Sequence, residues 1–181
     1  MYTIGDTVMH PSEGVCRVED VRAICFSGSE PRDYYVLRPS TEKSSGTIYL
    51  PLDRGNAVLR RLLSREDILN IIHDSGNYAG VWTDDARARK DLFASILNER
   101  HYAKLVQLIR EIHEHHALRL AEGKKPSSTD EHILSEAQRL LHQEFSYVLH
   151  MSLEDTTQFI LRELGIQEQV PDYYAKRALS K

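Results

Sequence analysis

Through Leu63 the apolar positions fall in short segments: "YTIGDTVMH", "GVCRVEDVRAICF", "DYYVLRPS", "GTIYLPL" and "AVLRRLL". Each is rich in Val, Ile, Tyr, Leu or Thr. The breaks "HPSEG", "SGSEPRD", "TEKSSG" and "DRGN" each hold Gly or Pro with small polar residues, so the rhythm is that of strand and turn. Five short strands are too few for a sandwich. They predict a small antiparallel β-barrel of the SH3 or Tudor kind.

After Leu63 the apolar period changes from two to about three and a half. "SREDILNIIHD" predicts a helix capped by Ser64, with Glu66 and Asp67 opposing the dipole in its first turn. "SGNYAG" (75–80) is Gly-rich and reads as a link between domains. Further helices are predicted over 83–97, 100–122, 129–150 and 153–164. Thr83 is the expected N-cap of the first, and Ser128 with Glu131 has capping-box spacing. Ser152 is followed by Glu154 and Asp155, again acids in a first turn. Gly123 and Gly165 stand where C′ glycines belong. Leu105, Leu108, Ile109 and Ile112 form one stripe, and Ile133, Leu134, Ala137, Leu140 and Leu141 another. Facing stripes predict a compact all-α bundle. The fold class is therefore α+β: a barrel over 1–63, a helix and link over 64–80, a helical domain over 81–165 and a tail over 166–181.

Composition narrows the partners. The 181 residues carry a formal net charge of −4, whereas a generic nucleic-acid binder is usually basic because phosphate neutralisation supplies its affinity. Any DNA contact must be a small local patch assisted by another partner. No apolar run approaches the ~20 residues of a membrane span, and the N-terminal stretch lacks the pattern of a secretory signal. A cytoplasmic protein is expected. Cys16 and Cys25 form no Cys-x-x-Cys pair and are expected as buried thiols.

Trp82, the only tryptophan, lies in "YAGVWTDDARARKDLF". Two readings are open for it: an aromatic buried where a helix begins, or an exposed ring beside Arg87, Arg89 and Lys90. A preceding Gly-containing link makes burial harder, and the basic residues lie within reach of phosphates flanking an inserted ring. Asp84 and Asp85 suit a helix N-terminus but repel phosphate.

The order of these residues resembles the CarD/CdnL family. Its parts here are "IGDTVMHPSEGVCRVEDV", "YYVLRP", "GTIYLPLD", "LRRLLS" and then a lone Trp opening a helical half, together spanning about residues 1–164. The family comprises bacterial RNA-polymerase-binding regulators that share their first domain with the transcription–repair coupling factor. The resemblance implies that the barrel docks on the RNA polymerase β subunit by edge pairing, through Thr47, Ile48, Tyr49, Leu50 and Pro51, with Arg22 the nearest basic residue to a second contact. It implies that the helical domain meets promoter DNA at the upstream edge of the melted bubble, with Trp82 as a minor-groove wedge. Arg87 is the best match to a family basic position. Arg89 and Lys90 are local substitutes, and Lys124 and Lys125 are further backbone candidates.

"EIHEHHALR" (111–119) raises a metal site and does not sustain it. The H-E-x-x-H spacing is absent, and His113 with His116 supplies two ligands where a structural zinc wants four. A solvated helix face is expected there, with no metal or other cofactor. No nucleophile elbow, phosphate loop or kinase-like set is present, so a non-enzymatic protein is expected. The reading from a different class is a protein–protein adaptor that docks on RNA polymerase without touching DNA.

Overall fold

A computed structural model describes residues 1–26, 30–40 and 46–166. Of the predicted segments, parts of "SGSEPRD" and "TEKSSG" and the tail from residue 167 lie outside the described residues. The chain divides into two compact units, 1–64 and 65–181.

The first unit is built on a five-stranded antiparallel sheet in the order β4-β3-β2-β1-β5. Its strands are β1 (Thr7–His10), β2 (Gly14–Ile24), β3 (Arg32–Pro39), β4 (Ile48–Pro51) and β5 (Arg60–Arg61). The "HPSEG" break makes the β1–β2 turn, where Gly14 takes φ +74°, a conformation that suits glycine. Alternation sets the inner face: Val8, Cys16, Val18, Tyr35, Leu37 and Leu59 form its buried core. Tyr2 closes over it, donating from its hydroxyl to the Leu59 carbonyl (3.0 Å) and from its backbone N–H to Tyr35 Oη (3.1 Å).

One sequence expectation is met in part in this unit and two are corrected. Among the described residues the end strands β4 and β5 pair with β3 and β1 respectively and not with each other, so the expected barrel stands as an antiparallel sheet without shown closure. "DRGN" is no turn: it lies inside helix α1 (Leu52–Val58). A Cβ on Gly55 would sit 2.7 Å from Tyr35 Cδ2 and closer still to Cε2. Glycine is therefore demanded by the buried tyrosine beneath it rather than by a turn. Finally, Cys16 is buried, and its thiol is pushed up to about 11 by desolvation, but Cys25 lies beyond the end of β2 and is exposed.

The second unit is all-α: α2 (Arg65–Asp74), a 3-10 turn at Ser75–Asn77, α3 (Ala86–Glu99), α4 (Tyr102–Ala121), α5 (Ser128–Leu149) and α6 (Leu153–Glu163). Helix α2 packs on α4, α5 and α6, so the chain changes unit at 64/65, ahead of the Gly-rich 75–80 stretch. Both predicted apolar stripes are buried and α4 packs along α5. Ser152 caps α6, accepting from the Asp155 N–H at 3.0 Å, and Gly123 and Gly165 take φ +72° and +69° as C′ residues. Two caps shift. Asp85, not Thr83, caps α3, and Ser127, not Ser128, caps α5. At Asp85 the preference is chemical, since a carboxylate near the helix N-terminus meets both free N–H groups and the dipole.

Helix α4 carries the largest departure. His113 and His116 are buried, His116 to 2% exposure, not solvated as expected. Helices α2, α3 and α5 all pack against α4, so polar positions between its apolar ones are covered too. Burial pushes the His113 imidazole down to about 4, with His116 adding to the effect, and lowers that of His116. Among the described residues no cluster of metal-ligating side chains occurs, and no helix is long and apolar enough to cross a membrane.

Candidate docking edge and candidate nucleic-acid interface

In the first unit, β4 is an edge strand that, among the described residues, is bonded only to β3. Ile48 and Leu50 turn toward the core while Tyr49, between them, is 42% exposed. Pro51 ends the strand and lacks the N–H to continue a ladder. The outer backbone groups of Ile48–Leu50 are thus presented as a short template for another chain's strand.

Register then builds a groove beside that edge. Arg22 pairs with Tyr34, and Tyr34 with Pro51, which brings the end of β2 close to β4. The groove, about 400 Å³, is lined by Arg22, Ala23, Ile24, Cys25, Phe26 and Tyr49. Phe26 is 45% exposed, and its ring makes edge contacts with Tyr34 (5.3 Å between centroids) and Tyr49 (5.7 Å). Arg22 is exposed and lies 3.6 Å from Asp20. The structure places Arg22 in one groove with Tyr49 of β4, and adds Phe26 and, against its ring, Tyr34. Sequence reasoning missed these two. The signal for Phe26 was the two-residue period, which puts Arg22, Ile24 and Phe26 in one row.

In the second unit, Trp82 sits in the extended segment before α3, half-buried and neither sealed in the core nor fully projecting. One face of its indole stacks on the His115 imidazole, with centroids 3.6 Å apart and planes 8° from parallel. The Arg89 guanidinium lies 4.5 Å from the ring centroid, and the buried Phe93 ring is 6.1 Å away. The indole N–H points to Asp84 Oδ1 at 3.4 Å.

The segment is pinned just upstream. The Val81 N–H reaches both oxygens of the buried Glu111 carboxylate, at 3.0 and 2.8 Å. Gln107 Nε2 donates to the same group at 2.7 Å. Loop and helix are thereby tied one residue before the tryptophan.

The basic candidates divide. Arg87 and Lys90 are exposed on α3. Lys124 and Lys125 are exposed in the α4–α5 loop, with Lys124 Nζ 2.7 Å from Glu122. Arg89 is a correction: its side chain is only 12% exposed and is turned inward. Its guanidinium faces the Asp130 carboxylate at 3.4 Å and donates to the Thr83 carbonyl at 2.7 Å. A side chain so engaged is a brace for the Trp82 segment, not an open phosphate contact. The two acids that disturbed the sequence reading have local duties. Asp85 accepts from the N–H groups of Arg87 and Ala88, and Asp84 meets the indole N–H.

Comparison with known proteins gives one family. The family model described as the CarD-like/TRCF RID domain matches residues 2–63, which is the first compact unit almost end to end. No curated protein matches the chain.

Proposed function

We propose a function from the premise that residues 2–63 are a CarD-like/TRCF RID domain: the chain is an RNA-polymerase-interacting transcription regulator that holds promoters open. The observation that carries the reading is that, among the described residues, this domain leaves β4 as an unpaired edge with Tyr49 exposed beside an aromatic groove. An extended strand of the polymerase β subunit adds to that edge. Main-chain hydrogen bonds supply the affinity, and Tyr49, Phe26 and Arg22 read the partner's side chains.

The helical unit contacts promoter DNA at the upstream edge of the bubble, with the Trp82 indole wedged against a base step and Arg87, Lys90, Lys124 and Lys125 toward the backbone. The protein is not an enzyme in this reading. It acts by linkage: a ligand that prefers the open complex shifts the closed–open equilibrium by its differential affinity. Tethering through the polymerase raises the effective concentration at DNA. A weak contact then suffices without net positive charge, and the protein works in the bacterial cytoplasm wherever polymerase sits on DNA.

Stacking of a base on an aromatic ring is worth about 1–3 kcal/mol, and about 1.4 kcal/mol is tenfold in an equilibrium. Trp82→Ala should therefore shorten open-complex lifetime on the order of tenfold while leaving capture of the polymerase intact. An unchanged lifetime rejects the wedge.

Two observations favour an adaptor without DNA contact: Asp84 and Asp85 follow close on the indole, and Arg89 is turned inward. Crosslinking to forked promoter DNA within the polymerase complex separates the two, since the adaptor gives no crosslink from residues 82–90.

A further inference from the structure

The stack beneath Trp82 is more ordered than a segment before a helix requires. An imidazole parallel to an indole within 8° and at 3.6 Å occupies one face of the ring at van der Waals separation. The guanidinium of Arg89 is held near the same ring by four acceptors: both oxygens of Asp130 and the carbonyls of Thr83 and Asp84. Asp130 is itself buried, near the start of α5, so the brace is rooted in a different helix from the one bearing Arg89. Upstream, Glu111 of α4 fixes the Val81 N–H. His115 lies one turn further along the same helix. Indole position is thus dictated from α3, α4 and α5 together.

We propose that His115 and Arg89 are positioning residues that set the orientation of the Trp82 ring before any partner arrives, with Asp130 holding Arg89 in place. A free aromatic side chain loses rotamer freedom on being inserted between base steps, and ordering it beforehand removes that cost from binding. The imidazole covers one face of the indole and the Arg89 guanidinium lies over the same ring, so a base step meets the edge of a ring already held in place. This inference rests on the wedge reading for its consequence at DNA, but the ordering of the indole is a property of the protein alone.

The two can be tested apart. With one tryptophan in the chain, indole fluorescence anisotropy reports the mobility of residue 82 in the full-length protein without DNA. His115→Ala should lower the anisotropy and His115→Phe, which keeps a flat ring, should restore it. An aromatic pair contributes enough for roughly a two- to tenfold effect. On the polymerase–promoter complex, His115→Ala should therefore shorten the open-complex lifetime about two- to tenfold, with recovery in His115→Phe. Arg89→Gln, which keeps a donor but loses the charge, should lower the anisotropy as His115→Ala does. Anisotropy unchanged in both His115→Ala and Arg89→Gln overturns the proposal outright, whatever happens at DNA. A lifetime that falls for Trp82→Ala but not for His115→Ala overturns the claim that ordering matters to function. A lifetime indifferent to Trp82→Ala as well overturns the wedge itself, and a lowered anisotropy then leaves only the ordering of the indole standing.

Discussion

The Glu111 carboxylate is where stability and site geometry meet, and Glu111→Ala is the perturbation that measures both. Glu111 is buried and accepts from two donors: the Val81 N–H, which reaches both carboxylate oxygens at 3.0 and 2.8 Å, and Gln107 Nε2 at 2.7 Å. Truncation to alanine strands two donors in a largely buried site. Hydrogen bonds to a charged group contribute about 1.5–3 kcal/mol each. Water entering the vacated space recovers part of that loss, so a net cost of about 3 kcal/mol is expected. For a unit of this size that lowers Tm on the order of 10 °C. The assay follows the Trp82 emission through a thermal melt, which reports the helical unit without interference from a second tryptophan. Hydrogen exchange at the Val81 amide supplies the local readout: it should accelerate in Glu111→Ala under native conditions, before global unfolding contributes. Glu111→Gln keeps one acceptor oxygen and should cost less, about 1 kcal/mol. A Glu111→Ala protein that melts with wild type and keeps its Val81 amide protected would refute the claim that this carboxylate pins the segment.

Acidification should weaken the helical unit. Burial holds His113 and His142 at about 4 in the fold, and His116 below its ordinary value, against about 6.5 in an unfolded chain. The neutral imidazole is the folded form, so the unfolded chain takes up protons first and stability falls as pH drops from about 6.5 toward about 4. For His113 alone this amounts to about 2 kcal/mol between pH 7 and pH 5, read by urea denaturation at the two pH values; equal midpoints would contradict it. In the first unit, Gly55→Ala should destabilise by about 2 kcal/mol, although alanine ordinarily improves a helix by about 1 kcal/mol. The reason is the buried Tyr35 ring, which a new Cβ would strike; a raised Tm for this unit would mean that the ring can move aside.

The order of strands and helices was legible because both periods were clean. Alternation along "GVCRV" and "YYVL" marked the sheet, and the stripes Leu105–Ile112 and Ile133–Leu141 marked the helix pair. Helix α1 was not legible. "DRGN" has the composition of a turn, and only the tyrosine packed beneath it explains a glycine there. The buried histidines were missed for a related reason. Polarity forecasts exposure when a helix has one covered face, and α4 is packed by three neighbours. At the candidate site, Trp82 and its basic neighbours could be named from sequence, and so could the edge strand. What could not be read was Glu111, whose partner is 30 residues away, or the inward turn of Arg89. The chain encodes both only through the meeting of helices distant in sequence.

The brevity of β4 carries a consequence for how this protein behaves in a crowded solution. An unpaired strand invites copies of itself as readily as a proper partner, and long flat edges seed fibrils. Here the invitation runs for four residues, Ile48–Pro51, and closes on a proline that helix α1 follows at once. Over the described residues, two copies meeting edge to edge along β4 could exchange only a few hydrogen bonds before the ladder ended. A partner that also fills the adjoining groove gains what self-pairing lacks, so the same strand can stay adhesive toward one target and inert toward its own kind.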